Sequence, residues 1–242
     1  MRKLAIALCP AILLAQTAPS FDVATVKPSD ALKNAGLASG WSISASHNGL
    51  KIIGTLQTFI RYSYGAQDGY AYGGQDLRIS GGPPWLDRDM WEIDAKADRQ
   101  VTAGELKRML QSLLTERFKL AVHPETRELP VYSMVPAKGG PKLQRGDDHL
   151  RGSFSIGGTF LRGTIDSGAF AAHLTSTLHR PVIDNTGLQG IWKFDLTWAP
   201  DDVTTGPSIF TAIQEQLGLK LESAKGPVQV LVIDRAEMPS GN

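Results

Sequence analysis

The chain has 242 residues, 42% hydrophobic and 20% charged, and 25 basic against 24 acidic residues leave a formal charge of +1. Such a composition supports a packed core and excludes wholesale disorder, collagen, coiled coils, disulfide scaffolds and polytopic membrane proteins. The even charge offers no basic field for nucleic acid, and 25 glycines with 14 prolines favour short strands and many turns.

The first segment reads as a leader. Arg2 and Lys3 precede an apolar run from Leu4 to Leu14, shorter than the roughly 20 residues that span a bilayer. This is the pattern of a secretory signal peptide cut near Ala15 or Ala18, with an uncleaved N-terminal anchor as the alternative. Cleavage removes Cys9, the one cysteine, and leaves 23 basic against 24 acidic residues. A cysteine-free mature chain has neither disulfides nor thiolate chemistry. The expected location is secreted or periplasmic, with no stable membrane span after cleavage.

Beyond the leader, a strand-like LKIIG at 50–54 precedes Leu56, Phe59, Ile60 and Tyr64 at helical spacing. A strand at 77–80 and a Gly-containing turn lead to Trp91-Glu92-Ile93-Asp94, which alternates as a half-buried strand does. Thr102 and Glu105 predict a capping-box start to a helix over about 103–118. Its stripe is Leu106, Met109, Leu110, Leu113, Leu114 and Phe118. Phe118-Lys119-Leu120 then opens a strand, and PETRE at 124–128 predicts a hairpin to Pro130-Val131 and Met134-Val135.

The order then repeats. TFLRGTI at 159–165 precedes Phe170, Leu174 and Leu178 at i, i+4 and i+8, and a strand at 181–184 leads to Trp192-Lys193-Phe194-Asp195. Ser208, after Pro207, is the expected N-cap of a helix over about 208–217 with Ile209, Ile213 and Leu217 as its stripe. Leu219-Lys220-Leu221 opens a strand, with a hairpin expected at Ala224-Lys225-Gly226. The expected fold is α+β, a tandem duplication of a β-α-β-β-α-β-β unit, with antiparallel sheets carrying helices on one face. The division is a signal peptide over 1–18, a first αβ repeat over 19–137, a linker over 138–152 and a second repeat over 153–242. Trp91 and Trp192 are expected at equivalent core positions.

Known chemical motifs do not emerge. The five histidines, His47, His123, His149, His173 and His179, form no metal-binding spacing, and no G-x-S-x-G elbow or G-x-G-x-x-G loop is present. Asp147-Asp148-His149 reads as a solvated loop, Asp87-Arg88-Asp89 lacks the residues that close a calcium loop, and Ser167-Gly168 fits a helix start. Asp94 and Asp195 could do acid–base work only if the two halves faced each other. No catalytic residue, metal or cofactor is therefore assigned.

One surface differs between the halves. Tyr62, Tyr64, Tyr70 and Tyr72 cluster within RYSYGAQDGYAYGGQD, where the second half has only a short link, and Trp85 follows on the next turn. Tyrosine in a polar, Gly-rich insertion suits an adaptable recognition loop. These five residues are the expected ligand-binding site; the bland alternative has Tyr62 and Tyr64 finishing a helix stripe.

Several strings carry a family resemblance: FDVATVKPS at 21–29, LRISGGPPWLDRDMWEIDAKA at 77–97, LLTERFKLAVHPETRELPVYSMVPAKGGPKL at 113–143, RPVIDNTGLQGIWKFDLTWAPD at 180–201 and SIFTAIQEQLGLKLESAKGPVQVLVIDRAEMPS at 208–240. Through them the chain resembles a soil-associated exported bacterial family of unknown function, expanded in acidobacteria. That resemblance implies no activity, cofactor or catalytic residue, and it suits an extracytoplasmic sensing or binding module. The expected function is thus an exported, non-enzymatic binding or sensing module, whose partner is an unknown small molecule, polymer or envelope protein. The alternatives are a secreted hydrolase with a dispersed site and an envelope component assembling through sheet edges.

Overall fold

The computed structural model describes residues 18–30, 41–65, 77–150, 152–200 and 206–239. The leader expected over the first residues lies outside them, apart from Ala18. In chain order the elements are β1 (Val23–Pro28), β2 (Ser42–Ser46), β3 (Gly49–Thr55), α1 (Leu56–Tyr64), β4 (Arg78–Gly81), β5 (Met90–Lys96), α2 (Ala103–Phe118) and β6 (Ala121–Pro136). There follow β7 (Gln144–Arg145), a 3-10 turn, β8 (Phe154–Gly157), β9 (Phe160–Ile165), α3 (Ser167–Leu178), β10 (Val182–Asp184), β11 (Trp192–Thr197), α4 (Ile209–Leu217) and β12 (Leu219–Arg235). The fold is α+β. Among the described residues no helix is long and apolar enough to cross a membrane.

Among the described residues the strands form three four-stranded sheets. Two are wholly antiparallel, with orders β1-β5-β3-β2 and β7-β11-β9-β8. The third, β10-β6-β12-β4, has β6 and β12 antiparallel at its centre and a parallel strand on each edge. Those edges are exchanged: β4 pairs with β12, and β10 pairs with β6.

The helices start where their caps dictate. Thr102 Oγ1 accepts from Glu105 N at 3.2 Å, and Ser208 Oγ accepts from Thr211 N at 3.2 Å, each satisfying a donor the first turn leaves open. The Glu105 carboxylate does not complete the box; it pairs with Arg99 instead. Ser167 is the first residue of α3 rather than its cap. Asp166 Oδ1 caps that helix, accepting from Ala169 N at 2.9 Å, while Ser167 Oγ donates to Leu188 O.

Two apolar cores result. One joins Leu50, Ile52 and Ile93 of its sheet to Phe59 and Ile60 of α1 and to Leu110, Leu114 and Phe118 of α2. The other joins Leu161, Phe194 and Leu196 to Phe170 and Leu174 of α3 and to Ile213 and Leu217 of α4. The central ribbon serves both. Leu231 and Ile233, near the end of β12, enter the first core; Met134, near the end of β6, and Leu219, at the start of β12, enter the second. At about 3.4 Å per residue, the 16 residues of β6 run roughly 50 Å, enough to bridge the two.

That ribbon replaces the two hairpins expected at PETRE and at Ala224-Lys225-Gly226. Both segments continue straight through as strand, with Pro130 opposite Lys225 and Pro227 opposite Glu128. The prolines do not break the ladder. Pro124, Pro130, Pro136 and Glu128, the residue facing Pro227, are all even-numbered positions of β6. The amide of even-numbered Tyr132 points to the other side, donating to Pro181 O at 2.7 Å. The missing proline N–H groups therefore fall where the β6–β12 ladder needs none. Gly226 marks a close approach rather than a turn, since a Cβ there would lie 2.7 Å from Ile183 Cδ1. Within the stretch expected as linker, β7 pairs with β11.

Candidate functional site

Three of the five expected binding residues are described. Tyr62 and Tyr64 are half-buried on α1 against the first core, and that burial pushes both phenol pKa values up. The ammonium of Lys107 lies 5.7 Å from the centre of the Tyr62 ring. Trp85 is half-buried and stacks on Phe118 with centroids 6.4 Å apart. These contacts close a core, with Tyr62 and Tyr64 finishing the helix stripe. Tyr70 and Tyr72 lie outside the described residues.

A different surface is concave. An open cavity of about 340 Å³ is lined by Arg78, Leu129, Pro130, His179, Arg180 and Pro181. Its walls come from three separate stretches of the chain: Arg78 opens β4, Leu129 and Pro130 lie mid-way along β6, and His179 to Pro181 join α3 to β10. His179 caps α3 in the left-handed region, at φ 51°. Its carbonyl accepts from Arg78 Nη2 at 3.0 Å, which ties β4 to the end of α3. Arg180 is held from two sides. Its Nη2 donates to Val131 O at 2.8 Å, and its guanidinium lies 4.2 Å over the ring of Tyr132. Tyr132 in turn meets Phe210 edge-on, with centroids 5.3 Å apart. Arg180 Nε is buried and has no hydrogen-bond partner among the described residues. The wall thus holds three basic side chains, two of them permanently charged guanidiniums, beside three apolar ones.

Residues 69–236 match the family described as protein of unknown function (DUF3738). The chain belongs to this family. Comparison with curated proteins and with solved structures gives no match. All six cavity residues fall inside the DUF3738 match, whereas Tyr62 and Tyr64 precede it.

The other sequence candidates of this DUF3738 protein stay apart. Asp94 and Asp195 stand exposed on different sheets, Asp195 paired with Arg162 at 2.7 Å. Asp147 Oδ1 accepts from its neighbour His149 N at 2.9 Å, as an Asx turn does. Among the described residues no group of three or more His, Cys, Asp or Glu is placed to hold a metal ion. His173 stacks on Phe154 with centroids 3.7 Å apart, and burial pushes its pKa down. Sequence reasoning missed Arg78 and Arg180. The available signal was an arginine at or just before the strands that follow α1 and α3, in LRIS and in HRPVID.

Proposed function

We propose that the chain is an exported, non-enzymatic binding or sensing module of the soil-associated kind its sequence resembles, and that its two αβ units are tandem copies. The duplication is supported by the matching strand orders of the outer sheets and by register. Trp91 pairs with Gly54 and Trp192 with Ile165, each opposite the residue before a helix N-cap. The helices α2 and α4 also both end on a left-handed C-cap, Lys119 and Gly218.

The observation that carries the binding reading is the cavity at the central sheet, where β4 of one unit meets the α3–β10 link of the other. Its volume falls at the lower end of the range for small-molecule sites, about 300–1,000 Å³, and it combines apolar walls with a few fixed polar groups. A small molecule is therefore the partner, rather than a polymer or an envelope protein. A ligand array scored by thermal shift tests this. A binder at 100 times its Kd stabilises the native state by about 2.7 kcal/mol, and substitution of a cavity residue should abolish that rise. Turnover of a polymer substrate, with no compound raising the melting temperature, would overturn the reading. The export part predicts an envelope-recovered chain whose intact mass starts between about residues 16 and 21; a full-length chain confined to the cytosol would reject it.

A further inference from the structure

We propose that the cavity at the central sheet takes a small organic carboxylate, its charge held by Arg78 and Arg180 and its apolar body seated against Leu129, Pro130 and Pro181. The proposal rests on the binding reading and names the ligand class.

Charge comes first. Two guanidiniums line the cavity, and among the described residues its wall contains no carboxylate and no acidic side chain forms an ion pair with Arg180. The end of helix α3 also points its carbonyls this way, but a helix C-terminus carries only about half a negative charge. Arg78 meets that half-charge through His179 O. The charge left for a ligand is that of Arg180.

Pre-organisation comes second. Arg180 is fixed by Val131 O and by the face of Tyr132, which Phe210 buttresses. A guanidinium has five N–H donors in a rigid fork. Val131 O uses one, and buried Nε has no partner among the described residues. Nε itself is sealed from solvent, so a carboxylate would meet the Nη edge of the fork, where the hydrogen bond is charge-assisted.

The apolar half of the wall decides between anions. Inorganic phosphate would use the guanidiniums and leave Leu129, Pro130 and Pro181 facing water. A carboxylate on a ring or short hydrocarbon body uses both halves.

Titration calorimetry on the intact chain, with three probes, tests the idea. Benzoate should bind. Benzamide, its neutral counterpart, and inorganic phosphate should each bind at least tenfold more weakly. Arg180→Gln and Arg78→Gln should each weaken benzoate at least tenfold. Leu129→Glu, which adds a competing carboxylate to the wall and leaves both arginines in place, should abolish binding while the circular dichroism spectrum stays native. If a variant fails to fold, the three probes on the wild-type chain still decide. Benzamide or phosphate binding as tightly as benzoate would overturn the proposal, as would no benzoate binding. If benzoate fails but an array compound still raises the melting temperature in a Leu129→Glu-sensitive way, the ligand class is wrong and the binding reading stands. If benzoate fails and no array compound binds, both fall.

Discussion

Trp91 and Trp192 occupy one register in two sheets, yet their surroundings differ. Trp91 is 7% exposed and meets Phe118 edge-on, with centroids 5.5 Å apart. Phe118 also touches Phe59 and Trp85, so four rings share that end of the first core. Trp192 is half-buried beneath the guanidinium of Arg145, 4.4 Å from the ring, and its Nε1 donates to Gln189 O at 3.2 Å. The rings of the second core stack instead between Phe170 and Phe194, 4.0 Å apart. The difference lies in the helices. Phe118 is the last residue of α2 and lies on Trp91, while Leu217, the last residue of α4, offers no ring. A strand's alternation fixes which face a side chain takes; the element crossing that face fixes how deeply it is buried.

The sharpest way to break this comparison is to empty both sites. Trp91→Ala should cost about 3–5 kcal/mol, the range for losing a large aromatic from a packed core. Trp192→Ala should cost about 1–2 kcal/mol, since part of its face is wet and a cation–π contact adds roughly 0.5–1 kcal/mol. Urea unfolding of the two variants measures both. Equal losses would mean that Arg145 and Gln189 seal Trp192 as fully as rings seal Trp91.

The helix ends offer a second contrast. Lys119 and Gly218 both adopt the left-handed region, at φ 49° and 64°. A Cβ at Gly218 would lie 2.2 Å from Gly140 O and 2.9 Å from Lys142 N, both backbone atoms that cannot swing aside. Gly218→Ala should therefore cost about 2–4 kcal/mol, combining left-handed strain with overpacking. Lys119→Gly should stabilise by up to about 1 kcal/mol, since glycine adopts positive φ freely. Thermal unfolding of the pair checks the signs, and a destabilised Lys119→Gly would show that the lysine side chain has a packing role.

Much of this architecture is legible in the sequence because it is local. The stripe of α2, its Thr102 cap, the Ser208 cap and the alternation of both Trp strands are set by residues within one turn or one strand. The hairpins failed for a non-local reason. Pro124, Pro130 and Pro227 read as turn residues until each is known to face away from its partner, and parity depends on a register between segments about 100 residues apart. Gly226 misled in the same way: its missing side chain makes room for Ile183 of β10, on the far side of β6. The cavity was illegible because it exists only where β4 and the α3–β10 link converge; Arg78 and His179 are 101 residues apart in the chain.

The smallest expected effect separates the outer sheets by charge. Glu92 follows Trp91 on β5, with Lys27 directly opposite on β1 and Lys51 diagonal on β3. Their ammonium groups lie 3.3 and 3.2 Å from its carboxylate, which is 14% exposed. Burial alone would push the Glu92 pKa up, but hydrogen bonds and charge from Lys51 and Lys27 outweigh it and hold the carboxyl below its ordinary value. A carboxyl whose folded pKa is lowered stabilises the native state above its unfolded pKa, about 4.3, and loses that contribution as pH falls through the folded value. The residue that follows Trp192 on β11 is Lys193, which faces Gln144 and Thr164. Lys27 and Lys51 are more than half exposed or close to it, at 62% and 50%, so each pair is worth no more than about 1 kcal/mol. Glu92→Gln should therefore flatten the loss of stability below about pH 4.3, by roughly 1 kcal/mol in all, and Lys193→Gln should leave that slope unchanged. Urea unfolding between about pH 3 and 6 at low and high salt reads the difference. An acid limb that survives Glu92→Gln undiminished would place the titrating groups elsewhere.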